Sequence, residues 1–244
     1  VFAIGDGSPE QSSRYILNGG NLSCWGEFSL ENEVGDFQPS FIQNGGGCSF
    51  YGDIIWFGSF PGSGTPKMIF NAGSTSIIGG ILNEPLSTVN MYIELNNSAN
   101  VHLYGDLITL SYTNDSLVLG GNSILYTHEP CTITNNGVIN ASSGIFIAMS
   151  NCILNGSGDF QFHNLISENT INHSASTNIK VSGNIENSGV FIPNNNSFTL
   201  NGSSLQLLLG SDIVFYNLEL NNPYGFLLDN SITIQGNLVM TNGI

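Results

Sequence analysis

Positive charge is nearly absent from this chain. Arg14, Lys67 and Lys180 are its only lysines and arginines, against 18 aspartates and glutamates, and the formal net charge is −15. Proteins that bind nucleic acids neutralise phosphates with clustered Lys and Arg, so this function class is excluded. Docking on an anionic membrane is disfavoured for the same reason.

Long apolar runs and ligand-binding motifs are also missing. No stretch approaches the ~20 apolar residues of a transmembrane helix, and residues 1–5 lack the basic start of a signal peptide. No cysteine spacing fits zinc, no acidic loop fits calcium, and no glycine-rich loop fits a phosphate. We therefore expect no metal, no cofactor and no membrane insertion. Because the sequence stops at Ile244 within a strand-turn pattern, we also expect a processed or truncated piece of a longer polypeptide.

The clearest pattern that is present lies in residues 197–244. Apolar residues alternate with polar ones over short runs, for example Leu205, Leu207 and Leu209, and breaks such as Asn201-Gly202 separate the runs. This period of two predicts half-buried strands, and Gly and Asn supply the turns between them. Charged residues make up only 9% of the chain, so the outer surface is neutral and polar.

Residues 68–244 contain an internal repeat of strand runs, asparagine-rich turns and a Gly-Asp/Asn-Leu/Ile element. The second and third copies agree in spacing, since the step along the chain from Asn164 to Asn217 equals the step from Gly183 to Gly236. Each unit holds several strand runs and no helical pattern, which predicts an all-β fold, a right-handed parallel β-solenoid of several coils. An antiparallel β-sandwich is the alternative.

Asparagine recurs at the predicted turns, in 96–97, 135–136, 194–196 and 221–222. Asn tolerates the left-handed backbone of a sharp corner, and stacked Asn side chains form hydrogen-bonded ladders. We therefore expect these residues to have a structural role.

Residues 1–66 are irregular and rich in aromatic residues, and they end in a Pro- and Gly-rich loop. Repeat arrays need terminal units unlike the rest, so we interpret 1–66 as an atypical N-terminal cap on a solenoid formed by 67–244. The other interpretation is a platform of aromatic rings, including Trp25 and Trp56, on which sugars stack.

The four cysteines fall into two pairs, each with a spacing that suits one coil. Cys48 follows Cys24, and Cys152 follows Cys131, after a stretch of chain that a single coil can contain. Residues one coil apart lie ~4.7–4.9 Å from each other, within the range of a disulfide. Two disulfides are therefore expected in an oxidising exterior, and buried thiols are the alternative.

The acidic residues do not form a catalytic pattern. Glycoside hydrolysis needs two carboxylates at a set separation. Asp106, the most tempting acid, is replaced by Asn184 and Asn237 in the other copies. Asn cannot act as a base, so this position is interpreted as a turn, as are Asp53, Asp159 and Asp212. We predict that the chain is not an enzyme.

The third copy resembles repeats of large secreted surface proteins of Bacteroidetes, in the run Phe215-Tyr216-Asn217-Leu218-x-Leu220-Asn221-Asn222 and in the later Gly236-Asn237-Leu238 element. The resemblance covers residues 197–244 well and 152–190 fairly, and does not reach the N-terminal third. It implies type IX secretion and an adhesin-like or stalk role at the cell surface. Asp115-Ser116-Leu117 is similar to the O-glycosylation sequon of these bacteria, which marks Ser116 as a candidate glycosylation site.

The expected function is therefore a non-enzymatic, extracellular structural or adhesin-like segment of a larger secreted protein. Its partners would be other domains of the parent chain, secretion or surface-anchoring proteins, and glycans. A carbohydrate-binding module or polysaccharide-active β-helix enzyme is one alternative. A self-assembling filament subunit is another.

Overall fold

The computed structural model describes residues 2–4, 14–25, 28–32, 40–51, 54–58, 67–77, 81–83, 92–103, 107–110, 116–141, 143–174, 177–210 and 213–242. This part of the chain contains strands and no helix. The strands, in chain order, are β1 (Phe2–Ile4), β2 (Arg14–Leu17), β3 (Asn21–Cys24), β4 (Phe28–Asn32), β5 (Ser40–Gln43), β6 (Gly47–Phe50), β7 (Ile54–Gly58), β8 (Lys67–Ile77), β9 (Ile81–Asn83), β10 (Tyr92–Leu103), β11 (Leu107–Leu110), β12 (Ser116–Leu119), β13 (Ile124–Thr127), β14 (Cys131–Asn135), β15 (Val138–Asn140), β16 (Ile145–Ala148), β17 (Cys152–Asn155), β18 (Phe160–Phe162), β19 (Asn164–Ser167), β20 (Thr170–His173), β21 (Ile179–Val181), β22 (Ile185–Asn187), β23 (Val190–Ile192), β24 (Ser197–Leu200), β25 (Gln206–Gly210), β26 (Ile213–Phe215), β27 (Asn217–Asn221), β28 (Phe226–Leu228), β29 (Ile232–Ile234) and β30 (Leu238–Asn242).

These strands stack in parallel along three faces, and successive strands of the chain visit the faces in turn. Face A contains β1, β4, β7, β9, β11, β14, β17, β20 and β23, followed on the same side by the pair β26 and β29. Face B runs from β2 and β5 to β27 and β30, and face C runs from β3 and β6 to β25 and β28. The long strands β8 and β10 belong to face B in their first part and to face C in their second. This parallel stack is a β-solenoid, which confirms the predicted fold over the sandwich.

The coils become shorter along the chain. Asn44 lies 26 residues after Asn18, its partner one coil before, and Asn71 lies 27 residues after Asn44. Further along, the register partners Cys131 and Cys152 are 21 residues apart. Pairing is continuous across the predicted boundary at 66/67, because β5 and β6 both pair with β8. Residues before this boundary therefore contribute coils to the same stack.

Alternate side chains of each strand enter one continuous apolar core. Phenylalanines fill much of it, and Phe28, Phe41 and Phe50 meet edge to face with ring centroids 5.0–5.9 Å apart. Phe198 packs on Phe215 near the other end, at 4.9 Å. Burial of such side chains contributes on the order of 2–3 kcal/mol each, which makes the core the main source of stability.

The internal repeat of the sequence corresponds to a recurring turn. Its step along the chain is not a whole number of coils, so successive copies lie on different faces. The Asn164 side-chain oxygen accepts a bond of 2.7 Å from the Asn184 backbone, and Asn217 accepts one of 3.0 Å from Asn237. The first pair lies on face C and the second on face B. The prediction that Asn184 and Asn237 are turn residues is confirmed.

Asparagine side chains bond from coil to coil, both at the predicted Asn221 and in a ladder of three residues that was not predicted. The Asn44 side chain donates to Asn18 and that of Asn71 donates to Asn44, each at 2.8 Å. Asn242 donates to Asn221 in the same way. Asn194 and Asn195 adopt the expected left-handed backbone, with φ of 41° and 61°.

Candidate functional site

One corner of the solenoid carries a column of chemically distinctive side chains. It consists of the described residues that directly follow a face C strand, and we call it the C corner: Trp25, Tyr51, His128, Met149, Glu168, Ser188 and Asp229. Backbone bonds from coil to coil align the column. The Tyr51 amide donates to the Cys24 carbonyl at 2.9 Å, and the Met149 amide donates to the Thr127 carbonyl at 3.0 Å.

The first two members of the C corner form an aromatic stack. The ring centroids of Trp25 and Tyr51 lie 3.8 Å apart and the rings are parallel within 2°. Trp25 is 75% exposed and Tyr51 is 39% exposed. An aromatic pair of this kind contributes about 0.5–1.5 kcal/mol beyond area burial, so the stack holds a flat apolar surface in place.

Of the two predicted platform residues, Trp25 lies at the C corner and Trp56 lies elsewhere on the solenoid. Trp56 lies in β7 on face A, where its backbone aligns with Leu30 and Asn83, and its side chain lies outside the described residues. The described partner of Trp25 is Tyr51.

A second group of rings lies further along the same side of the solenoid, beyond the coil that contains β8. His102 stacks on Tyr126 with centroids 4.5 Å apart, and its Nδ1 lies 2.8 Å from Nε2 of His128. One of these nitrogens donates the proton and the other accepts it. Partial burial, and to a lesser extent the neighbouring His128, lower the pKa of His102. Within the described ranges no three His, Cys, Asp or Glu side chains form a group that could hold a metal ion.

The acids with defined contacts take part in bonds between coils. Asp159 forms an ion pair of 2.6 Å with Lys180 one coil away, and this contact lowers the pKa of the carboxyl group. Glu219 accepts bonds from Thr241 at 2.9 Å and from Thr199 at 3.4 Å. Asp53, Asp106 and Asp212, the other predicted turn acids, lie outside the described residues.

The two cysteine pairs differ. Cys131 and Cys152 are register partners, as predicted, and their sulfurs lie 3.3 Å apart. Cys24 aligns instead with Phe50, and Cys48 with Leu22, which corrects the expectation that Cys24 stacks on Cys48. The physical reason is the coil length, because this coil is two residues longer than the spacing of the two cysteines. All four cysteines are thiols in the structure.

Ser116, the candidate glycosylation residue, opens β12 and is partly exposed, aligned with Tyr92 and Val138. Asp115, which precedes it in the sequon, lies outside the described residues.

Tyr51 was not among the predicted site residues, although the sequence contains the signal. Residues 15–25 read YILNGGNLSCW and residues 41–51 read FIQNGGGCSFY, so the Asn-Gly-Gly element that begins at Asn18 recurs at Asn44. This step of 26 residues is the coil length, and it places Tyr51 on Trp25 and Asn44 on Asn18.

No family model matches the chain, and neither a curated protein nor a solved structure is significantly similar to it. In the part of the chain that the structure describes, no helix is long and apolar enough to cross a membrane.

Proposed function

We propose that this chain is a non-enzymatic structural segment that extends or presents an adhesive surface outside the cell, within a larger secreted repeat protein. The observation that carries the proposal is the continuous in-register stack, in which face B pairs coil after coil from β2 to β30 around one core. Each interior strand of such a stack is paired on both edges, which gives a stiff scaffold. Other domains of the parent chain, or proteins that anchor it, are the partners of such a scaffold.

The use of the polar side chains supports a structural role. Asn18, Asn44 and Asn71 bond to one another along the axis. Asp159 and Glu219 also bond to residues of neighbouring coils. A carboxylate in such a bond stabilises the stack, and using it as a catalytic acid or base would break that contact.

Two measurements test this proposal. Antibodies against the chain should label intact cells of the source organism, and labelling only after permeabilisation would contradict an exterior location. Incubation with neutral and acidic polysaccharides should release no new reducing ends and no unsaturated sugars. Product formation above the level of a heat-treated sample would overturn the non-enzymatic role.

The aromatic stack at the C corner favours a second candidate function, the binding of neutral glycans. Sugar rings present apolar C–H faces that pack on flat aromatic surfaces, and Trp25 offers one that is 75% exposed and held by Tyr51. The net charge of −15 disfavours acidic glycans, so the ligand class is neutral.

Glycan-array and affinity-gel binding of wild type and W25A test this candidate. Loss of a stacking contact worth about 1.4 kcal/mol weakens binding about tenfold. Tyr224→Ala is the matched control, because Tyr224 is also an exposed aromatic residue, at 64%, but lies in a turn far along the chain. Equal binding by wild type and W25A, or equal losses in W25A and Y224A, would exclude a site at Trp25.

A further inference from the structure

One pair of thiols is placed for covalent linkage between coils. Cys131 opens β14 and Cys152 opens β17, and the two residues are register partners on face A. Register partners in neighbouring strands have Cα atoms ~4.8 Å apart, inside the ~4.4–6.8 Å range of disulfides. Their sulfurs already lie 3.3 Å apart, and both side chains are buried in the core. A disulfide needs a further approach of about 1 Å, which small side-chain rotations supply.

The other pair is not placed in this way, although it also lies on neighbouring coils. Cys48 aligns with Leu22, so Cys24 lies two residues further along its strand. Two steps along a strand and one across give a Cα separation of about 8 Å, beyond the ~7 Å limit for a disulfide without backbone movement. The Cys24–Cys48 pair is therefore an internal negative control for disulfide formation by the Cys131–Cys152 pair.

The Cys131–Cys152 pair lies where the coil length changes. The preceding coils on face A are longer, and in them Ile81 pairs with Ile108 and Leu107 with Thr132. The two cysteines are only 21 residues apart, and the next coil, in which Cys152 pairs with Ile171, is shorter still. A cross-link here would tie the last of the longer coils to the first of the shorter ones.

We propose that Cys131 and Cys152 form an intercoil disulfide under oxidising conditions, while Cys24 and Cys48 remain thiols. The oxidant is a small-molecule disulfide. One cysteine thiolate attacks it and forms a mixed disulfide, which releases the first thiol. The other cysteine then attacks the mixed disulfide and releases the second thiol, so that two electrons and two protons pass to the oxidant.

Burial determines when this reaction takes place. Contact with Cys131, together with burial, raises the pKa of the Cys152 thiol, and only the thiolate is a nucleophile. Exchange is therefore slow in the folded chain, and the bond forms while the coils close.

The experiment refolds the reduced, unfolded full chain in a glutathione redox buffer, denatures it and labels the remaining thiols with a maleimide. The chain's few cations make the analysis simple, because trypsin cleaves only after Arg14, Lys67 and Lys180. Fragment 15–67 contains Cys24 and Cys48, and fragment 68–180 contains Cys131 and Cys152. We expect two labels on fragment 15–67, and none on fragment 68–180, whose mass is lower by two hydrogens.

Two serine variants test whether the absence of label on fragment 68–180 is due to a bond between Cys131 and Cys152. C131S and C152S should each leave fragment 68–180 with one labelled cysteine, and each should refold with the β-sheet circular dichroism of wild type. Oxidised wild type should unfold at a higher urea concentration than the reduced protein, and neither variant should show this shift. Two labels on fragment 68–180 of refolded wild type, a stable glutathione adduct there, or a cross-link within 15–67 would overturn the proposal.

Discussion

Acid should destabilise this solenoid through one buried histidine. His173 ends β20 with a side chain that is 2% exposed, and burial lowers its pKa from 6.5 to about 4. The groups packed around it are uncharged: Leu154 one coil before, the rings of Phe191 and Phe198, and the Asn196 amide. The Asn196 amide lies 2.8 Å from Nδ1 of His173, which accepts its hydrogen bond. None of these neighbours carries a charge that would compensate a proton on the ring.

The size of this destabilisation follows from the difference in proton binding between the folded and the unfolded chain. Above pH 6.5 the ring is neutral in both the folded and the unfolded chain, so the pH has little influence on stability through this residue. As the pH falls below 6.5 the unfolded chain binds a proton that the folded chain excludes, and the free energy of unfolding decreases until the pH reaches about 4. The loss is about 2 kcal/mol at pH 5 and about 3 kcal/mol below pH 4.

Urea unfolding at pH 7 and pH 5 measures this loss. Carboxylates titrate in every variant, so the informative quantity is the difference between variants. His173→Gln retains an acceptor for Asn196 and cannot be protonated, and it should lose about 2 kcal/mol less than wild type between the two pH values. His163→Gln is the control, because His163 is partly exposed and bonds to Ser182. The change in its free energy of unfolding between pH 7 and pH 5 should match that of wild type. Equal pH dependence in wild type and His173→Gln would refute the reasoning, as would a His173 ring signal that titrates near pH 6.5 in NMR spectra of the folded protein.

Two further predictions concern the backbone and the core. Gly210 has φ of 93°, and a Cβ there would overlap the carbonyl of Asn187, so Gly210→Ala should cost at least about 1–3 kcal/mol in urea unfolding. Gly19→Ala, where a Cβ meets no atom within 4 Å, is the control, and similar costs for the two would contradict the argument. Phe160 is fully buried between Ile139 and Ile179, so Phe160→Ala should cost about 3–5 kcal/mol. Val190→Ala, at a residue 51% exposed, should stay within about 0.5–1 kcal/mol, and equal losses would place Phe160 outside the core.

The fold was predictable because strand alternation and turn residues are local signals. Leu218 and Leu220 alternate with outward residues in β27 as the period of two requires, and both are buried. The roles of Asn184 and Asn237 were also predictable, since a base cannot be replaced by Asn from one copy to the next. Each conclusion depended on a few neighbouring residues.

The placement of side chains one coil apart was less predictable, because it depends on the exact length of each coil. The spacing of Cys24 and Cys48 suggested that one lies over the other, whereas the coil is two residues longer and places Phe50 over Cys24. The spacing of Cys131 and Cys152 equals the length of the coil that separates them, so the two residues are register partners. An error of two residues leaves the inward or outward direction of a side chain unchanged but moves it along the strand beyond the reach of a disulfide.

Much of the difference in coil length lies in the connection from face A to face B. Residues 33–39 connect β4 to β5 and residues 59–66 connect β7 to β8, whereas only 136–137 connect β14 to β15 and 156–159 connect β17 to β18. The connection from face B to face C varies less, from His163 alone between β18 and β19 to 201–205 between β24 and β25. Added residues at one corner leave the inward alternation of every strand intact, so coils of different length share one core. This is why the internal repeat can occur on face C in one copy and on face B in the next. The repeated unit is a strand with its turn, which face B and face C both accommodate.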